Sequence, residues 1–146
     1  MLVRLVSSKG IDLIKSFEGY SSTSYICLAG YTTIGFGHVI KSNENFTAVL
    51  SEDDAEALLK ADLIVAESAV CRLIKVPLSD NQYAALVSFT FNLGGGALQR
   101  STLRSRLNRE EYGSVPSELQ KWFFCGGIKS KGLIRRRAAE AALWVL

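Results

Sequence analysis

Proline occurs only twice and histidine only once in these 146 residues, and the longest wholly apolar runs span a few residues. A membrane-spanning helix needs about 20 consecutive apolar residues, so none is expected. The opening stretch, "MLVRLVSSKG", is too short to carry a signal peptide with a proper apolar segment. Cysteine occurs three times, at 27, 71 and 125, an odd and widely spaced set with no C-x-x-C pair. With His38 as the sole histidine, a structural zinc site has no ligand set, and no metal or other cofactor is expected. Free thiols in a reducing compartment are the default, and Cys71, inside a helical pattern, reads as core packing. There is no internal repeat and no low-complexity tract.

What remains is a globular composition, with 48% hydrophobic and 21% charged residues. The net charge of +3 is unevenly spread. Residues 1–99 carry 7 basic and 10 acidic side chains, and residues 100–146 carry 10 basic and 4 acidic. A basic C-terminal half suits a polyanionic partner, either nucleic acid or an anionic cell-wall polymer. No nucleic-acid-binding module or basic–aromatic interleaving is present, so nucleic acid is not expected. A phosphate-loop reading of "NLGGG" fails because no lysine and serine or threonine follow in frame.

The pattern along the chain predicts an α+β, mostly α, fold. Ser8 can cap a first helix over 8–17, with Ile11, Ile14 and Phe17 on one side and Gly19 as its stop. Glu18 then sits in the last turn, where the helix dipole disfavours negative charge, which suits a group that delivers a proton. Residues 20–46 are rich in Ser, Thr, Tyr and Gly. "TSYICL" and "YTTIGFGHVI" read as strands of a small antiparallel sheet, with residues 20–24 as a turn.

A long helix of about 23 residues follows from a capping box at Ser51 and Asp54, and Pro77 blocks its continuation. Ser79 and Gln82 form a second capping box, and Gly94, Gly95 and Gly96 end that helix. Shorter helices are expected from Ser101 to about Asn108, from Pro116 through Leu119, Trp122 and Phe123, and from about Leu133 to Trp144, with "CGGIKSKG" a loop. A helix as long as the third element bridges two lobes, with a cleft between them.

Residues 17–38, "FEGYSSTSYICLAGYTTIGFGH", resemble the active-site region of the phage-type lysozymes, glycoside hydrolase family 24. That pattern has Glu-Gly, an aspartate nine residues after the glutamate, and a threonine six further on within TIGxGH. Here it reads Glu18-Gly19, Cys27, and Thr33-Ile34-Gly35-Phe36-Gly37-His38, with the spacing kept and the aspartate replaced. Residues 76–94, 101–108 and 132–144 resemble later family segments in the right order. The resemblance implies one lysozyme domain over 1–146. It has a small β-sheet lobe at about 8–50, a linking helix at about 51–74 and a helical lobe at about 75–146.

By that resemblance the activity is hydrolysis of the β-1,4 bond between N-acetylmuramic acid and N-acetylglucosamine in peptidoglycan. The chain would be an endolysin made in the host bacterial cytoplasm and released to the wall through a holin-formed lesion. The implied partners are peptidoglycan and, functionally, a holin, with no stable membrane anchor and a monomer as the working unit.

The resemblance also assigns roles. Glu18 is the general acid that protonates the leaving oxygen. Thr33, stiff and β-branched, holds its hydroxyl beside the attacking water. His38 supports the architecture by hydrogen bonding. An arginine of the "IRRR" run approaches Glu18 from across the cleft. Three consecutive arginines fan out around a helix, so one can point away from water; Arg136 is the choice, with Arg135 and Arg137 as the alternatives. Phe91 and Asn92 fall at the far wall, where they would meet sugar, and Gly35 and Gly37 let the backbone bend or approach the sugar. Cys27 stands at the second catalytic position. Its thiolate is either a working nucleophile or base, or a poor substitute that leaves a glycan-binding protein with impaired catalysis.

Overall fold

The computed structural model describes residues 3–146; residues 1 and 2 of the N-terminal stretch considered for a signal peptide lie outside them. Ser7, one residue before the expected cap, opens α1 (Ser8–Glu18) by accepting from the Gly10 amide at 3.3 Å. Gly19 closes that helix, with its N–H donated to the Lys15 carbonyl.

A three-stranded antiparallel sheet follows, ordered β1 (Ser21–Ile26), β2 (Thr32–Gly35) and β3 (His38–Val39). The strand therefore begins within the polar stretch expected to be a turn: its side chains are half-buried or exposed while its backbone pairs with β2. Tyr25 faces Thr33 and Ile26 faces Thr32, with a register irregularity between Ser21 and Tyr25.

The linking helix α2 spans Glu52–Leu73. Ser51 accepts from the Asp54 amide, but the return half of the capping box is not formed. Aspartate is one methylene shorter than the glutamate that such a box prefers. Its core stripe runs Ala55, Leu59, Leu63, Ala66, Val70 and Leu73. Cys71 lies at the edge of that stripe. It is exposed rather than packed in the core, with its sulfur 3.5 Å from the Tyr83 hydroxyl.

Helix α3 (Asp80–Leu93) starts with the full Ser79–Gln82 capping box. Only Gly94 stops it. Gly95 and Gly96 open a further short helix, α4 (Gly95–Arg100), whose Ala97 and Leu98 are buried against the core. Helix α5 covers Thr102–Asn108, capped by Ser101.

Helix α6 is shorter than expected, Val115–Leu119. Trp122 lies beyond it, set edge-on against Phe89 with ring centroids 5.5 Å apart. The expected loop at 125–132 contains a hairpin, β4 (Phe124–Cys125) and β5 (Ile128–Lys129). Gly126 and Gly127 have φ of +58° and +80°, the pair of left-handed residues that a two-residue hairpin turn requires. Ser130 then caps α7 (Lys131–Trp144), two residues ahead of the expected start.

The result is a mostly helical fold with a small N-terminal sheet lobe and a helical C-terminal lobe. One apolar cluster runs through both, from Phe36 after β2, through Ile14 of α1 and Leu59 of α2, to Leu86, Leu103, Leu119 and Trp144. Each such side chain, fully buried, contributes about 1.5–3 kcal/mol from removal of apolar surface. Because α1 and α7 both pack on α3, this core fixes the end of α1 relative to α7. No described helix is long and apolar enough to cross a membrane.

Candidate active site

Glu18 is the last residue of α1, and its carboxylate faces a pocket lined by Phe17, Asn92, Ser130, Leu133, Arg135 and Arg136, among others. Two elements hold it there. On one side is the β2–β3 turn, where Gly37 has φ of +78°. A Cβ on Gly37 would stand 2.9 Å from Glu18 Oε1, so the absence of a side chain lets the turn close on the carboxylate. On the other side is α7. Arg136 donates from Nη1 to Glu18 Oε2 at 2.6 Å, and its guanidinium carbon lies 5.6 Å from the Phe17 ring centroid. Of the three consecutive arginines, Arg136 is the one that meets Glu18. Arg137 is fully buried and bonded to Glu140 and Asn92, and Arg135 lines the pocket.

Cys27 follows β1 at the head of the hairpin. Its N–H is donated to Tyr31 O and its carbonyl accepts from Gly30 N, both at 2.9 Å. The tight turn folds the chain back around the thiol. The polar groups beside the sulfur, the Tyr31 backbone first, then the Thr33 side chain and the Ala29 and Gly30 backbone, hold its pKa below the usual thiol value, against the opposing effect of burial. Thr33, on β2, is 3% exposed, and its hydroxyl hydrogen is donated to the Tyr31 carbonyl at 3.0 Å. Cys27 and Thr33 are thus neighbours on the hairpin.

His38 on β3 is buried and touches neither pair. Nδ1 lies 2.8 Å from Asp62 Oδ2 on α2, and Nε2 lies 3.0 Å from Glu44 Oε1 in the following loop. Glu44 also accepts from the Lys41 amide at 2.8 Å. Burial works against the imidazolium, but the two carboxylates outweigh it and raise the His38 pKa. Among the described residues no His, Cys, Asp and Glu group is arranged to hold a metal ion.

Asn92 lines the Glu18 pocket, with its Oδ1 accepting from Arg137 Nη2 at 2.9 Å. Phe91 is partly buried against the core and is not among the residues lining that pocket. Both glycines of the TIGFGH run bend the backbone as expected, with φ of +67° at Gly35 and +78° at Gly37. Gly35 packs against Leu50 and Ala55, and Gly37 against Glu18.

Sequence reasoning missed Ser88, Asp62, Glu44 and Glu140. Only Glu140 left a trace, its i,i+3 spacing from Arg137, and that spacing is equally common on wet helix faces.

The chain is 40% identical over 143 residues to an endolysin of Acyrthosiphon pisum secondary endosymbiont phage 1, covering 95% of this chain and 97% of that one. It is 40% identical over 142 residues to an endolysin of Bacillus phage B103, and there it spans only about half of the relative's length, 54%. Among solved structures it matches the muramidase domain of SpmX from Asticaccaulis excentricus with a TM-score of 0.86, 35% identity and 97% of each chain covered. The phage lysozyme family profile matches residues 15–140, a span that takes in Glu18, Cys27, Thr33 and Arg136 together. The chain belongs to the phage lysozyme family.

Proposed function

We propose that this protein is an endolysin that hydrolyses the β-1,4 bond between N-acetylmuramic acid and N-acetylglucosamine in bacterial peptidoglycan. The observation that carries the reading is Glu18, fixed by Arg136 in a pocket between the ends of α1 and α3 and the start of α7. Relatives named endolysin and a fold match named muramidase support it.

Glu18 is the general acid. It gives its proton to the glycosidic oxygen as the C1–O bond breaks. Arg136 holds the carboxyl in place, and the Gly37 turn keeps it from swinging away. Cys27 and Thr33 serve the opposite side of the sugar. The hairpin backbone around Cys27 favours its thiolate, and that thiolate takes the proton of the attacking water. Water attack from the far face inverts the anomeric carbon. If the sulfur itself attacked C1, a second displacement would restore the configuration, so product stereochemistry separates the two routes.

His38 ties the sheet lobe to α2 and so keeps Thr33 in register. Asn92, and Phe91 behind it, form the far wall. Residues 1–146 work as one lysozyme domain and as a monomer. It is made in the host cytoplasm and reaches the wall through a holin-formed lesion.

Turbidity loss of purified cell walls tests this for the parent, Glu18→Gln, Cys27→Ala and Cys27→Asp. The reading expects Glu18→Gln and Cys27→Ala to be inactive and Cys27→Asp to be active. Wall binding without turbidity loss in the parent, with activity appearing only in Cys27→Asp, would make the native chain an impaired glycan binder instead.

A further inference from the structure

Three charged groups and one hydroxyl are buried behind Glu18. Ser88 of α3, Arg137 and Glu140 of α7 are each 0% exposed, and Arg136 is 4% exposed. Burying ions is costly unless each is paired. Glu140 accepts from Arg137 Nε at 2.6 Å and Nη2 at 2.9 Å, and from the Ser88 hydroxyl at 2.5 Å. Burial pushes the Glu140 carboxyl upward, and the Arg137 guanidinium, the Ser88 hydroxyl and Arg136 oppose it. Three donors are aimed at its two oxygens.

The Ser88 hydroxyl has one hydrogen, and Glu140 takes it. Its lone pairs then face Arg136, whose Nε donates to Ser88 Oγ at 3.3 Å while Nη2 reaches the Ser88 carbonyl at 3.4 Å. One edge of the Arg136 guanidinium is therefore fixed on α3, and the free end, Nη1, projects to Glu18. The chain of donors has a single direction: Arg136 to Ser88, and Ser88 to Glu140. Arg137, bonded to Glu140 and Asn92, lies beside it.

We infer that Ser88 and Glu140 are positioning residues for the reaction: they set the orientation of Arg136 and, through it, the place of the Glu18 carboxyl. This rests on the reading of Glu18 as the general acid. Ser88→Ala removes the acceptor for Arg136 Nε. Glu140→Gln is close to isosteric, but its amide can donate to Ser88 Oγ, which turns the hydroxyl hydrogen toward Arg136 and opposes the Nε contact.

The experiment measures kcat and KM on soluble uncrosslinked glycan strands, with Tm, for the parent, Ser88→Ala, Glu140→Gln and Glu18→Gln. Leu103→Ala, a core truncation in α5, is the control for lost stability alone. Ser88→Ala and Glu140→Gln are expected to lower kcat by roughly tenfold to a hundredfold at nearly unchanged KM, since misplacement of a catalytic group costs about that much. Leu103→Ala is expected to lower Tm and keep kcat. Parent-like kcat in both network variants, or an equal fall in Leu103→Ala, overturns the inference. Retained activity in Glu18→Gln would instead strike the reading of the site.

A second readout does not depend on turnover. In the parent background, Glu18→Gln is expected to shift the Arg136 Nε–H resonance in a 15N spectrum. In the Ser88→Ala background that shift is expected to vanish. An equal shift in both backgrounds shows that Ser88 does not set the contact.

Discussion

Arg136 and Glu18 are 118 residues apart in the chain and meet at 2.6 Å, with the arginine 4% exposed. The contact is narrow in its demands. It uses one nitrogen of a guanidinium whose other two nitrogens are committed to Ser88. Arg136→Lys keeps the charge and loses the fork, so the lysine cannot hold Ser88 and Glu18 together. The expected outcome is a fall in kcat of roughly ten- to a hundredfold with little change in KM. A kcat within about twofold of the parent would show that a point charge suffices.

Cys27 is surrounded by polar groups that favour its thiolate. In a Cys71→Ser, Cys125→Ser background, alkylation by iodoacetamide is expected to label Cys27 and abolish lysis. Its rate is expected to rise through a midpoint below that of a free thiol, about pH 8.5. Thr33→Val, which removes one polar neighbour, is expected to move that midpoint upward. A midpoint at or above the free-thiol value in the parent would sink the role of the hairpin backbone.

His38 makes the fold sensitive to base. Its folded pKa lies above its unfolded value, so its contribution to stability is complete below about pH 6.5 and is lost as pH rises through the raised folded value. The facing groups are Asp62 on α2 and Glu44 in the loop, with the Phe46 ring beside them. Cys27 works in the opposite sense, because its depressed pKa adds stability as pH rises. Tm measured against pH in a Cys27→Ala background therefore isolates the histidine. The expected result is a fall in Tm on going alkaline that His38→Gln removes. Parallel curves for the two proteins would exclude the histidine as the cause.

Gly37 offers a test of packing against the acid. Gly37→Ala places a methyl 2.9 Å from the present position of Glu18 Oε1 on a backbone with φ of +78°. The backbone strain is expected to cost about 1–2 kcal/mol of stability, read by urea denaturation. Displacement of the carboxyl is expected to lower lysis further than that loss explains. Gly126→Ala shares the unfavourable φ, at +58°, but has no neighbour within 4 Å of the added methyl, so it is expected to lower stability alone.

Local signals in the sequence were informative where the physics is local. Ser51 and Ser79 announce helix starts because a hydroxyl needs only the amide three residues on. The position of Glu18 at a helix end follows from Gly19. Gly95 and Gly96 read as a stop but sit in a helix, since burial of Ala97 and Leu98 overrides their poor propensity. The Gly126–Gly127 turn signal was present in "FCGGIK", but flanking strands of two residues are too short to show alternation.

The arginines mark the limit of such reading. Residues 135, 136 and 137 are chemically identical, and only the phase of α7 against α3 decides which reaches Glu18 and which is buried. Ser88 and Glu140 carry no motif at all. Their importance comes from being enclosed together, which no spacing along one helix reports.

The long separation of Glu18 from Arg136 also bears on the order of manufacture. A chain built from its N-terminus presents Glu18, Cys27 and Thr33 early, and domains begin to fold as they emerge. The guanidinium that fixes the acid arrives more than a hundred residues later, at the typical pace of about 5–20 residues per second. An unfinished or prematurely terminated product thus holds the acid, the thiol and the hydroxyl, yet lacks the guanidinium that holds the acid from the α7 side. On the proposed function, a working copy exists only once α7 has been translated and has docked.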